Sequence, residues 1–375
     1  MTARIVGSNR LIDPNLPPYM NYLTDPTLIP TDRLQERRVL VTGGAGYLGH
    51  HLVRELLAAD HLVTVFDSLA AAPARHRAES LLKDYAGRYE LIQGDLGDQA
   101  ALRHAVQRCD LVYHLAGQTD IPRSIDAPYE DFRINTIGTM HLLETLRLQA
   151  PNLPLITTSS TQVYGGLPWL DVAENHTRYE PVDRQIRRRG LSESTPLDFS
   201  TPHGCAKGAA DQYALDYAST YGLRVVVMRL SEVFGPGASS GSGENWLMHG
   251  LEGKDCDLLP PDRFQVRDFL YIDDAISALL TAGQHLDACS GSVLNIGGGV
   301  GMSMSLEEIF ALLRIQRAVR NHAAPRARRS GHPRWFATDY SRFKMITGWK
   351  PTVSLHEGIK MTQQAMPTEG EALAA

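Results

Sequence analysis

The chain has little cysteine, and none of it in paired spacing. Cys109, Cys205, Cys256 and Cys289 are scattered through 375 residues, so neither a disulfide framework nor a metal site is indicated, and a reducing cytoplasm is the expected compartment. It lacks an excess of basic charge: 37 Lys and Arg against 42 Asp and Glu leave a net charge of -5, with one local basic cluster from Arg326 to Arg334. No nucleic-acid partner is expected. No uncharged apolar stretch reaches membrane-spanning length, and no basic segment leading into an apolar core stands at the start, so neither a membrane partner nor a secretory signal is expected. Internal repeats are missing too. These exclusions leave a soluble protein, long for one small core and suited to one large α/β domain or two intimate lobes.

Residues 1–36 stand apart, because Pro14, Pro17, Pro18, Pro26 and Pro30 interrupt any regular period. They form a Pro-rich arm, either packed over the main body or a partner subunit, or a mobile tail. From residue 37, short β-branched or aliphatic runs alternate with helical patterns, as in a parallel sheet covered on both faces. Strands are expected near 38–42, 62–66, 89–93, 110–115, 154–159, 224–229 and 292–296, and helices near 47–59, 98–107, 129–149, 204–221 and 304–314. Beyond about residue 232 the pattern loosens into a Gly/Ser loop, Gly237 to Gly243, and short elements. The expected fold class is therefore α/β, with a doubly wound parallel-sheet lobe over 37–231 that takes later returns near 269–300. A smaller, interleaved C-terminal lobe over 232–375 is expected to bind substrate.

The run Thr42-Gly43-Gly44-Ala45-Gly46-Tyr47-Leu48-Gly49 follows an apolar strand and opens a helix. Gly43 permits a tight turn, Gly46 lets backbone approach a pyrophosphate, and Gly49 brings helix against strand, while free N–H groups at the helix start favour the phosphate charge. A glycine triplet alone is a weak signal, so its context decides. The next apolar run ends in Asp67, whose carboxylate can accept both hydroxyls of an adenosine ribose and would repel a 2′-phosphate. The expected cofactor is NAD rather than NADP, in a Rossmann lobe.

Two further stretches carry the reaction chemistry: Thr157-Thr158-Ser159-Ser160-Thr161-Gln162-Val163-Tyr164-Gly165 and His203-Gly204-Cys205-Ala206-Lys207. With the glycine turn they resemble an extended short-chain dehydrogenase/reductase of the sugar-nucleotide epimerase and dehydratase type, over residues 37 to about 362. Further marks are Gly94-Asp95-Leu96, His114-Leu115-Ala116-Gly117-Gln118, Asn135, Gln265-Val266-Arg267-Asp268-Phe269, Asn295-Ile296-Gly297-Gly298 and Gly348-Trp349-Lys350-Pro351. Within that family, Ser124-Ile125-Asp126, Glu174 to Tyr179, Pro196 to Phe199 and Gly204 to Tyr213 look most like the CDP-tyvelose (CDP-paratose) 2-epimerases. The resemblance implies that NAD is held by Gly43, Gly46, Tyr47, Leu48, Gly49, Asp67, Asp95, Leu96, Leu115, Ala116, Gly117, Gln118, Asn135 and Lys207. It implies sugar contacts from Gln118, Asp120, Gln162, Arg267 and Arg329, and catalysis by Ser160, Thr161, His203, Lys207 and Glu232, with no metal.

Several positions depart from the family pattern. Its Tyr base is replaced by His203, and a neutral imidazole can take up and return a hydroxyl proton near pH 7. Tyr164 is a second candidate base, and a pocket that binds NAD without turnover is a third reading. Glu232 stands for a neutral residue and Gly237 for an arginine near the sugar diphosphate, so less is offered to a diphosphate there, whereas Arg267 and Arg329 keep a phosphorylated substrate in play. Thr161 and Gln162 occupy the places of the dehydratase acid pair, which disfavours the usual 4,6-dehydration. Asp120 is either a loop cap or an acid for an elimination built differently. The expected function is NAD-dependent modification of a sugar through a transient ketone, epimerisation first and dehydration second. A homodimer is expected, because the helices near 129–149 and 204–221 carry apolar residues on more than one face and the family pairs them.

Overall fold

The computed structural model describes residues 37–238, 245–252, 262–313 and 332–366. The arm over 1–36, Cys256, Arg329, and most of the Gly/Ser loop and of the basic cluster lie outside the described residues. The described residues, from Arg37 onward, form one compact unit.

Seven parallel strands form the main sheet: β1 (Arg38–Thr42), β2 (Leu62–Asp67), β3 (Tyr89–Gln93), β4 (Leu111–His114), β5 (Leu155–Ser160), β8 (Val225–Leu230) and β11 (Ser292–Ile296). Their order is β11-β8-β5-β4-β1-β2-β3. Chain order runs outward in one direction from β1 to β3 and in the other from β4 to β11, so the switch falls between β1 and β4. A crevice opens at the carboxyl ends of such a pair.

Strand β1 shows why the sheet must be covered on both faces. Val39 and Val41 join a core with Leu52, Val53, Leu56 and Leu57 of helix α1 (Tyr47–Ala58), while Leu40 joins a core on the other face with Leu142, Leu143 and Leu146. All three β1 residues are 1% exposed or less. At roughly 1.5–3 kcal/mol for each large aliphatic side chain taken from water, the two faces supply the main drive for this layering.

The remaining helices that matter to the site are α2 (Ala72–Asp84), α3 (Gln99–Val106), α4 (Ile121–Asp126), α5 (Pro128–Phe132), α6 (Gly138–Gln149), α7 (Pro202–Tyr221) and α8 (Ile272–Gln284). All seven expected strands are found. The expected helix over 129–149 is instead α5, a single π-helical turn at Arg133–Ile137, and α6. Periodicity also misses α2, α4 and α8; α2 opens on Ala72-Pro73 and carries few apolar residues, so its face is weakly written.

Two small sheets complete the described fold. Strands β6 (Val172–Asn175) and β7 (Arg178–Pro181) make an antiparallel pair, and β9 (Glu232–Phe234), β10 (Val266–Tyr271) and β12 (Ser303–Ser305) make a mixed one. Asp268 of β10 ties this part to the end of β11: its buried carboxylate accepts from Gly298 N at 2.9 Å, Gly299 N at 3.1 Å and Thr338 N at 2.9 Å. Among the described residues no helix is long and apolar enough to cross a membrane, and no three His, Cys, Asp or Glu gather as a metal site would require.

Candidate active site

The glycine turn is shaped by what its residues lack. Gly43 has φ +71°, and a Cβ there would lie 2.5 Å from Ala116 N, so the loop after β4 packs directly on the turn. A Cβ on Gly49 would lie 2.1 Å from Gly43 O, which forbids any side chain where α1 meets the turn. Gly46 differs: a Cβ there would meet only Gly43 O, at 3.1 Å, leaving its outer side open. No side chain caps the first turn of α1, whose N–H groups therefore suit an anion. These features fit the pyrophosphate of NAD. Leu48 packs on the core, and the Tyr47 ring turns away into packing against His51, its hydroxyl raised well above the usual tyrosine range by burial.

Asp67 ends β2 against this turn. Its Oδ2 accepts from Ala45 N at 3.0 Å and its Oδ1 from Leu69 N at 2.8 Å, which fixes the carboxylate beside the glycine turn. Asp95 accepts from Gly97 N at 2.8 Å and pairs with Arg133 at 3.3 Å, half exposed, while Leu96 is buried beneath Gly138.

The loop Leu115-Ala116-Gly117-Gln118 after β4 is held from both sides. Leu115 N donates to Thr42 O at 3.0 Å, and Gln118 exchanges backbone bonds with the Asn135 amide, at 3.0 Å to Oδ1 and 2.9 Å from Nδ2. Asn135 sits in the π turn, which aims it and Asp131, four residues earlier, at the same loop. Asn135 Nδ2 and Gln118 Nε2 both donate to Asp131 Oδ1 at 3.0 Å. Gln118 Oε1 accepts from Asp120 N. Asp120 Oδ1 accepts from Arg123 N at 2.9 Å, so it caps α4; of its two expected roles, the structure shows the cap.

Helix α7 brings the reaction residues to this loop. Lys207 is enclosed, donates to Thr158 O at 2.9 Å, and would lie 3.5 Å from a Cβ on Gly117. Burial lowers its pKa to about 8. His203, one turn earlier, is 4% exposed, with its N–H on Ser124 Oγ at 3.3 Å and Nδ1 3.7 Å from Asp131 Oδ1. Ser160 ends β5 opposite Leu230, and its Oγ accepts from Gln162 N at 3.2 Å. Gly204 abuts the same turn, since a Cβ on it would lie 2.9 Å from Gln162 O. Thr161 and Gln162 are half-buried there.

The model of the NAD dependent epimerase/dehydratase family matches residues 39–297, which spans the turn, the loop and both reaction stretches. The chain belongs to that family. It is 34% identical over 333 residues to CDP-paratose 2-epimerase of Salmonella typhi, covering 86% of this chain and 97% of that protein. Among solved structures it is similar to UDP-glucuronic acid 4-epimerase from Bacillus cereus in complex with UDP-glucuronic acid and NAD, at TM-score 0.72 and 25% identity over 88% of this chain and 98% of that one. dTDP-glucose 4,6-dehydratase from Bacillus anthracis in complex with NAD gives TM-score 0.67 and 26% identity over 88% and 96%.

Measured against its family, this epimerase/dehydratase chain keeps the frame and changes the side chains. Tyr164 is not available as a base: it is fully buried, donates to Asn295 Oδ1 at 2.7 Å, takes a bond from Arg229 Nη1 at 2.9 Å, and burial raises its pKa. Arg229 is in turn paired with buried Asp211 at 2.7 Å. Glu232 opens β9 two residues after Leu230, which pairs with Ser160, and is half-buried at that edge. Gly237 has φ +81°, and its carbonyl accepts from Arg77 Nη2 of α2 at 2.9 Å. Arg267 is 8% exposed on β10, with Nη1 on Pro333 O at 3.1 Å. Arg329 lies outside the described residues. Sequence reasoning missed Asp131. Its spacing of four from Asn135 on one helical run was the available signal.

Proposed function

We propose that the chain is an NAD-dependent epimerase of a nucleotide-linked or phosphorylated sugar, acting through a transient ketone with His203 as the base. The observation that supports this most is the placement of His203: it stands where the resemblance puts the base, one turn before the buried Lys207, which donates to Thr158 O, and beside the buried Asp131. When bound, NAD supplies the acceptor, and later the donor, of the hydrogen on the oxidised carbon. His203 takes the hydroxyl proton and returns it, Ser160 donates to the reacting oxygen, and Lys207 holds the nicotinamide ribose. Oxidation acidifies neighbouring C–H bonds, so a centre can invert. Glu232, half-buried on β9 two residues after the Leu230 that pairs with Ser160, is the candidate acid or base for that step. Thr161 and Gln162 offer no carboxyl, which speaks against 4,6-dehydration. Residues 232–375 would contribute the sugar side, and Gly237 in place of an arginine favours substrates with one phosphate or none more than in relatives.

Presenting purified protein with CDP-, UDP- and dTDP-linked hexoses, with hexose phosphates and with nucleosides, and following the nicotinamide absorbance, tests the reading. Transient reduction with exchange at one sugar carbon is expected. Tightly bound NAD that no probe reduces would instead make the protein a cofactor-binding one. The outer sides of α6 and α7 expose Leu148 at 60%, Tyr213 at 47% and Tyr221 at 49%, which supports a homodimer joined through these helices, and the unpaired cysteines support a reducing, cytoplasmic setting. Light scattering that gives monomer mass at micromolar concentration would sink it.

A further inference from the structure

Asp131 takes no part in the chemistry described so far, yet it is 1% exposed in the middle of the site. Its Oδ1 accepts from Gln118 and Asn135, whereas its Oδ2 is closed from solvent without a hydrogen-bond partner. A carboxylate buried in that state is costly unless a donor or a cation faces it. His203 Nδ1 stands 3.7 Å from Oδ1, the oxygen that accepts those two bonds, and is itself closed from solvent without a hydrogen-bond partner. At 3.7 Å the pair lies beyond hydrogen-bond length and within ion-pair range. The other titratable groups around the pair are Lys207, already donating to Thr158 O, and, beyond it, Asp211 and His114. Asp211 is bound to Arg229, and His114 to Thr42 and Thr139, so Asp131 is the carboxylate that faces the imidazole, and it also attracts the Lys207 ammonium.

Resting on the reading of His203 as the base, we propose that Asp131 is its positioning residue: it keeps the proton on Nδ1, so that Nε2 is the atom that takes the sugar hydroxyl proton. The O–H proton passes to Nε2 as the C–O bond becomes a carbonyl, and the hydrogen on that carbon leaves with its electron pair to the bound cofactor. The ring then carries both protons, and the carboxylate, still ionised, offsets the new charge. Reduction returns both hydrogens. A phenol at position 203 would gain nothing from this carboxylate, which disfavours a phenolate nearby. The His and the acid therefore belong together.

Histidine-selective ¹⁵N labelling of the protein as purified, with His203 assigned by its loss in His203→Phe, reads the tautomer directly. The Nδ1–H form is expected, and Asp131→Asn should shift the ring toward Nε2–H. A wild-type ring in the Nε2–H form overturns the proposal, even if Asp131→Asn does not fold. Kinetically, with the same CDP-, UDP- and dTDP-linked hexoses as probes, Asp131→Asn should slow nicotinamide reduction by about 100-fold with bound NAD unchanged, and by less than about 3-fold in the His203→Tyr background. Equal losses in both backgrounds would show a merely structural acid and overturn the inference. If no probe reduces the wild type, the functional reading fails, and the tautomer alone decides the role of Asp131.

Discussion

The glycine turn after β1 and the corner around Ser160 and His203 differ in what holds them. In the turn the contacts are backbone to backbone, and a single Cβ on Gly49 would intrude to 2.1 Å from Gly43 O. In the corner the contacts belong to side chains standing on elements whose own packing does not depend on them. Of the departures from the pattern the resemblance implies, His203, Thr161 and Gln162 stand at the corner, Glu232 on β9, and Gly237 beside Tyr47 and His51 of α1, and none disturbs the seven-stranded order. A phosphate cradle made of backbone tolerates little change, whereas a reacting corner made of side chains can be rewritten on an unchanged frame.

The strongest way to break this contrast is to remove the imidazole. His203→Phe should lower turnover by about 10²–10⁴-fold, the usual worth of a positioned base, while leaving NAD bound, and His203→Tyr should keep part of the activity because Lys207 is in place to activate a phenol. Full activity in His203→Phe, or loss of NAD with it, would join the two regions that are here held separate. The converse variant is Gly49→Ala. It should abolish tight NAD binding and lower stability, because the clash is with backbone that cannot move aside. Cofactor content and thermal unfolding measure it, and unchanged NAD content would contradict the cradle.

Smaller effects sharpen the comparison. Glu232→Gln should preserve nicotinamide reduction yet stop the net inversion, leaving the ketone or isotope exchange without product; inversion at the wild-type rate would remove Glu232 from the chemistry. Asp67→Ala should narrow the preference for NAD over NADP, since the carboxylate now held by Ala45 N and Leu69 N would no longer repel a 2′-phosphate. Equal affinities in the wild type would sink that assignment. The smallest effect is one of pH. Burial lowers Lys207 to about 8, below its unfolded value of 10.5, so the fold binds fewer protons between those values. Stability should rise by about 1 kcal/mol for the first unit above pH 8, and this rise should vanish in Lys207→Met.

Much of this was legible in the residue order because it depends on neighbours in the chain. The apolar runs that became β1 to β5, β8 and β11, the glycine turn, and the four-residue step from His203 to Lys207 are local patterns, and the structure keeps them. What escaped was decided elsewhere. The π turn at Arg133–Ile137 reads as ordinary helix, because the hydrogen-bond shift that turns Asn135 and Asp131 toward Gln118 has no periodic signature. Helix α2 was hidden by its polar composition, and the retirement of Tyr164 required knowing that Asn295 and Arg229, 131 and 65 positions away, close on its hydroxyl.

By itself, then, the sequence determined the parallel sheet, the crevice between β1 and β4, and the choice of NAD, since these rest on hydrophobic alternation, on glycines that admit no substitute, and on one acid at a strand end. Only the tertiary structure decided which distant side chains meet: that Tyr164 is locked in the core, and that Asp131, 72 residues before His203, faces its ring at 3.7 Å. Distances between residues far apart in the chain are set by how helices pack across the sheet, and no local pattern encodes them.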